Sequence, residues 1–62
     1  MELRIWEIRR SKNLSIRELE ELSGVSRATI NRLENNKFPP SMLALEKIAR
    51  ALECSVKDLF KN

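Results

Sequence analysis

The side chains best equipped for chemistry lie in one short stretch, Ser26-Arg27-Ala28-Thr29-Ile30-Asn31-Arg32. It holds two guanidinium groups, a carboxamide and two hydroxyls. Guanidinium forks and carboxamides address phosphates and the hydrogen-bonding edges of planar rings, and neither shuttles protons near neutral pH. Catalysis finds no other footing. The chain has no histidine, and its one glycine, Gly24, cannot make a glycine-rich phosphate loop. No nucleophile stands next to a plausible base. Cys54 is the only cysteine, which excludes an internal disulfide and, without histidine, argues against a zinc site. It reads as a small buried hydrophobe in a reducing compartment, and no metal or cofactor is expected.

Twelve Lys and Arg against nine Asp and Glu give a net charge of +3, with an isoelectric point near 9.5. That balance suits a polyanionic partner without requiring one. Distribution says more than the total, because Arg9, Arg10, Lys12, Arg17, Arg27, Arg32 and Lys37 all fall in the first 37 residues. No apolar run is long enough for a membrane span and no charged-then-apolar leader opens the chain, so a cytoplasmic location is expected. The 62 residues suffice for a single domain over 1–62 with a small core. A fold of this size without disulfide or metal depends on efficient helix packing or on a second chain.

The elements that must position Arg27 through Arg32 are helices, since no strand alternation occurs and helix formers dominate. Ile5 and Ile8 set the inner face of a first helix from Glu2 to about Lys12, with Leu3 and Trp6 as a second stripe beside it. Ser15-Ile16-Arg17-Glu18 is a capping box opening helix two, whose inward face is Leu19 and Leu22. Gly24 ends it where a left-handed residue is cheapest, and Ser26 caps helix three two residues later. Ile30 and Leu33 then face inward and leave Arg27, Ala28, Asn31 and Arg32 outward. Asn35 through Pro40 form the longest loop, with Asn36 able to take positive φ. Ser41 caps a fourth helix carrying Leu45, Ile48, Ala49 and Leu52, and Ser55 caps a short fifth with Val56, Leu59 and Phe60. The expected core is Ile5, Ile8, Leu19, Leu22, Val25, Ile30, Leu33, Leu45, Ile48, Leu52, Val56 and Leu59.

Leu14-Ser15 through Glu34-Asn35, followed by Pro40-Ser41, Leu45, Ile48-Ala49, Leu52 and Leu59-Phe60, resembles the phage-repressor (Cro and XRE-like) helix-turn-helix domain over nearly the whole chain. The most specific stretch is Leu22 to Asn35. The resemblance implies an all-α, five-helix lambda-repressor-like bundle that binds double-stranded DNA as a transcriptional regulator, usually as a two-fold homodimer. It also implies a recognition helix at about 26–34 in the major groove, where each base pair shows a distinct donor and acceptor pattern. Ser26, Arg27, Ala28, Asn31 and Arg32 match the family's base-reading positions. Arg27 and Arg32 have the fork for guanine, Asn31 suits adenine or a phosphate, and Ala28 suits a thymine methyl. Arg10, Arg17, Asn35 and Lys37, with the Thr29 hydroxyl, are candidates for phosphate. Arg9 and Glu34 match a pair that forms a partly buried ion pair between helices one and three.

This chain departs from the family pattern at three places. Ile16 replaces the glutamine that usually starts helix two and meets a phosphate. Glu20 replaces a small residue where helices two and three approach, and is expected to bend outward and pair with a nearby arginine. Glu53 stands where helix four often ends on glycine. Ile16 and Glu20 favour a rival reading as an antitoxin-like or antirepressor-like protein-interaction module, while Arg27, Asn31, Arg32 and Lys37 favour DNA. For a homodimer, the end of helix four through helix five around Leu59 and Phe60 is the first candidate surface, and Leu3 with Trp6 the second, as an apolar pair expected to be exposed.

Overall fold

Among the described residues, four α-helices, α1 (Ile5–Ser11), α2 (Ile16–Ser23), α3 (Arg27–Glu34) and α4 (Met42–Ala51), are followed by a 3-10 helix over Val56–Leu59. The structure, a computed structural model, describes residues 2–37 and 41–61. Phe38, Pro39 and Pro40, read above as part of the longest loop, lie outside the described residues. No helix among the described residues is long and apolar enough to cross a membrane.

Serines open three of the α-helices. The Ser15 hydroxyl accepts the Glu18 N–H at 3.0 Å while the Glu18 carboxylate accepts the Ser15 N–H at 2.8 Å, closing the capping box. Hydrogen bonding to Ser15, its backbone N–H first, holds the Glu18 carboxyl below its ordinary range. Ser26 accepts from Thr29 N–H at 3.2 Å and Ser41 from Ala44 N–H at 3.0 Å. These bonds satisfy amides that have no partner within the helix.

A left-handed residue ends each of the four: Asn13 (φ 58°), Gly24 (φ 75°), Asn36 (φ 56°) and Glu53 (φ 59°). After α1, α3 and α4 the chain makes the paired bonds of a Schellman motif. Leu14 N–H reaches Arg9 C=O at 3.1 Å, Lys37 N–H reaches Arg32 C=O at 3.0 Å and Cys54 N–H reaches Ala49 C=O at 2.9 Å. Gly24 makes the simpler single bond, N–H to Glu20 C=O at 2.9 Å. A Cβ at Gly24 would meet nothing within 4 Å, so glycine is favoured there by backbone conformation rather than by crowding.

The expected core is buried apart from Ile8 and Val56, which are half-buried, and Leu22, which is 61% exposed. The inner stripe of α2 follows Ile16, Leu19, Glu20 and Ser23, and a residue three beyond Leu19 rotates past its edge. Helix one begins at Ile5 rather than Glu2, which changes the role of Leu3. Leu3 is in an extended segment that bridges Phe60, with Arg4 N–H on Leu59 C=O at 2.7 Å and Lys61 N–H on Glu2 C=O at 2.9 Å. Leu3 is 3% exposed and Leu59 fully buried, so neither is available as a dimer surface, and the expected exposed pair reduces to Trp6, 49% exposed. The fifth α-helix is instead a single 3-10 turn. Ser55 donates its N–H and hydroxyl to Asp58, and the chain must be extended again by Phe60 to meet Leu3. Cys54 is half-buried, and desolvation, aided by Asp58, pushes its thiol pKa up.

Arg9 is the one charged residue among the described residues that is buried as a whole, and the side chain of Glu34 is buried against it. Its Nε donates to Glu34 at 2.7 Å, Nη2 to the other Glu34 oxygen at 3.2 Å, and Nη1 to Leu14 C=O at 2.8 Å. One guanidinium thereby joins α1, the loop before α2 and the end of α3. Removing one partner of such a pair strands a buried charge at a cost of about 3 to 5 kcal/mol. A core this small supplies only about that much.

Glu34→Ala is therefore expected to leave the chain largely unfolded at 25 °C. The double change Arg9→Met with Glu34→Leu, which removes both charges, is expected to fold within about 2 kcal/mol of the parent. Urea unfolding of both variants checks this. Glu53→Gly, which relieves a side chain held at positive φ, is expected to raise stability by about 0.5 to 1 kcal/mol in the same assay; a loss would show that the Glu53 side chain contributes more than its backbone strain costs.

Candidate nucleic-acid interface

The buried side chains Ile30 and Leu33 fix which way α3 faces. At about 100° per residue, Arg27, Asn31, Asn35, Ala28 and Arg32 occupy one outward arc of about 140°. All five are exposed. The helix is oriented by three contacts of different kinds: its two apolar residues in the core, the Gly24 turn from α2, and Glu34 on Arg9.

Within the arc the polar groups are partly organised among themselves. The Ser26 hydroxyl accepts from Thr29 N–H and donates to the Thr29 hydroxyl at 3.0 Å, so Thr29, half-buried, is committed to the cap. Asn35 donates from Nδ2 to Asn31 C=O at 2.8 Å and to Asn31 Oδ1 at 3.2 Å, orienting one carboxamide by the other. Arg27 is held by Glu20: Oε2 accepts the Arg27 backbone N–H at 2.8 Å, and Oε1 lies 3.5 Å from Nη2. Glu20 thus does pair with an arginine, and the arginine is a candidate base reader.

The phosphate candidates divide between the two ends of the helix pair. Lys37 is exposed just beyond α3. Arg10 lines a surface depression with Asn13, Ser15 and Ile16 at the start of α2, and its guanidinium lies 5.5 Å over the Trp6 ring. Arg17, also exposed, makes only a loose contact with Glu21 at 3.8 Å. Arg9 borders the same depression as Arg10 but is buried, its nitrogens committed to Glu34 and Leu14. Arg32 lines an open groove between α3 and α4 together with Thr29, Ser41 and Lys47. Lys47 was not singled out in the sequence, and Ser41 only as a helix cap; the signal for Lys47 was its place on α4 four residues after Leu43, another groove residue, on a face that only the packing of α4 turns toward α3. Among the described residues no cluster of His, Cys, Asp or Glu is placed to hold a metal ion.

The same architecture is found in proteins of known family. The Helix-turn-helix family model matches residues 7–59. An HTH-type transcriptional regulator of Archaeoglobus fulgidus is 40% identical over 60 residues, covering 97% of this chain and 84% of the relative. The crystal structure of the restriction-modification controller protein C.AhdI from Aeromonas hydrophila superposes with a TM-score of 0.84 at 32% identity, over 90% of this chain and 85% of that one. A chain of the SinR/SinI protein complex superposes at 0.85 with 34% identity, over 94% of this chain and 57% of that one. The family model over residues 7–59 and a relative 40% identical across 97% of the chain place it in the Cro and XRE-like helix-turn-helix family of DNA-binding transcriptional regulators.

Proposed function

We infer that α3 enters the major groove of duplex DNA and that Ser26, Arg27, Ala28, Asn31 and Arg32 meet base edges there. The observation that carries this reading is the outward arc of α3, uniformly exposed and polar or small, directly behind which Ile30 and Leu33 are fully packed. The phosphate contacts in this reading are Asn35 at the end of that arc, Lys37 just beyond it, and Arg10 and Arg17 near the start of α2, with Thr29 acting through the Ser26 cap. Ile16, half-buried at the first position of α2, offers no polar group to a phosphate.

An α-helix of eight residues is about 12 Å long and reads only a few base pairs. Specificity then calls for two copies on a two-fold site with half-sites about one helical turn apart. With Leu3 and Leu59 committed to the core, Trp6 and the half-buried Phe60 are the apolar surfaces left from the original candidates.

A second reading, a protein-interaction module, draws on Leu22, exposed at 61%, and on one solved relative being a complex of two proteins. The two readings part on salt: DNA binding through phosphates weakens steeply as salt rises.

Arg32→Ala is expected to weaken a selected duplex by about 1 to 3 kcal/mol and to relax base preference at one position, whereas Lys37→Ala weakens selected and random duplexes alike. Fluorescence anisotropy on both duplex types measures this. Equal losses on both duplexes for both substitutions would refute the division between base and backbone contacts, and no salt-sensitive binding by the parent chain would favour the protein-interaction reading.

A further inference from the structure

The Glu20 carboxylate does two things at once. It lies in the last turn of α2 and reaches across the Gly24-Val25-Ser26 turn to the first residue of α3. There it accepts a backbone N–H that α3 cannot satisfy internally, at 2.8 Å, and holds negative charge at the positive end of that helix. Its second oxygen lies 3.5 Å from Arg27 Nη2. The Arg27 side chain stays 64% exposed, so the contact places a charge beside the guanidinium without burying it and leaves its other donors free.

We propose that Glu20 is a positioning residue for base reading: its carboxylate holds Arg27 in one orientation at the head of α3, so that the free edge of the guanidinium meets guanine. The inference rests on the reading of α3 as the DNA-reading helix. A guanidinium presents two parallel donors to guanine O6 and N7 only when its plane is correctly turned. An arginine already held in that plane has less rotamer freedom to lose on binding. A lysine or an unrestrained arginine at the same place would supply charge to any phosphate nearby. Glu20 opposes that use as well, because its own negative charge offsets the attraction of Arg27 for phosphate. Both carboxylate oxygens are engaged within the protein, so direct acceptance of a cytosine amino group would require breaking the contacts that hold Arg27.

The test is binding-site selection from random duplexes with the full chain, Glu20→Gln, Arg27→Ala and the double variant, with thermal unfolding of each. Glutamine keeps an acceptor for the Arg27 N–H and loses the charge, so Glu20→Gln is expected to fold with a similar midpoint. Its guanine preference at the position that Arg27→Ala abolishes is expected to fall roughly 3- to 10-fold, with no further change in the double variant. Unchanged guanine preference in folded Glu20→Gln would overturn the proposal, as would a loss directed at cytosine or one at a position whose preference Arg27→Ala leaves intact. If the parent chain selects no sequence, the DNA reading fails and the proposal falls with it; if the parent selects a site and only the Glu20 result is negative, the proposal alone falls.

Discussion

One guanidinium ties this fold together. Arg9 gives its three nitrogens to three separate acceptors, two on Glu34 and one on the carbonyl of Leu14, and no buried polar side-chain atom is left without a partner among the described residues. α1 packs only lightly on α3, whereas the closer pairings are α2 with α4, α2 with α3, and α4 with the 3-10 turn. Charge burial is costly unless every donor is matched. Here the match makes the arrangement directional: Arg9 can be satisfied only when the end of α3 and the start of the α2 loop stand where they do. An apolar pair would fill the space without specifying that angle. The exposed arc of α3 depends on the same constraint: at about 100° per residue Glu34 falls about 20° from Arg27, at one edge of that arc, so its bond to Arg9 fixes how the arc is turned.

The second determinant is how helices stop. Asn13, Gly24, Asn36 and Glu53 all adopt left-handed backbone, and at Asn36 the side chain does additional work by accepting Leu3 N–H at 2.9 Å. That bond ties the segment before α1 to the end of α3. Lys61 extends the closure at the other terminus, 2.9 Å from Glu7, and this contact lowers the Glu7 pKa and raises that of Lys61. Both side chains are solvent-facing, so their contribution is to register rather than to stability.

Much of this was legible in the residues themselves because it is local. Ser15, Ser26 and Ser41 cap helices through bonds to the third residue on, and Gly24 announces its conformation by type. Periodicity placed Ile30 and Leu33 correctly because each helix position reports its own face. What the chain did not disclose depends on distant partners. Leu22 obeys the spacing of a core residue, yet Ile16, Leu19, Glu20 and Ser23 hold the inner stripe of α2, which only the position of α4 decides. Leu3 could not be placed without knowing that Phe60 returns beside it. Glu53 carries no sign of positive φ in its chemistry; the Schellman bonds after α4 impose it. The Arg9 and Glu34 pairing came from family resemblance, since nothing in a spacing of 25 residues announces contact. At the site, the outward set on α3 followed from periodicity, whereas the grip of Glu20 on Arg27 and the nearness of Lys47 to Arg32 are products of packing.

The central claim is that a rigidly mounted α3 presents its outward arc to duplex DNA. Titrating the isotope-labelled chain with a duplex recovered by selection, and following backbone amide resonances, tests it most directly. The account predicts shifts concentrated at Ser15 to Arg17, Gly24 to Arg32 and Asn35 to Lys37, with Ile48 and Leu52 in the core of α4 nearly unmoved. Shifts confined to the surface around Leu22, Lys47 and Arg50, with the α3 arc silent, would contradict it.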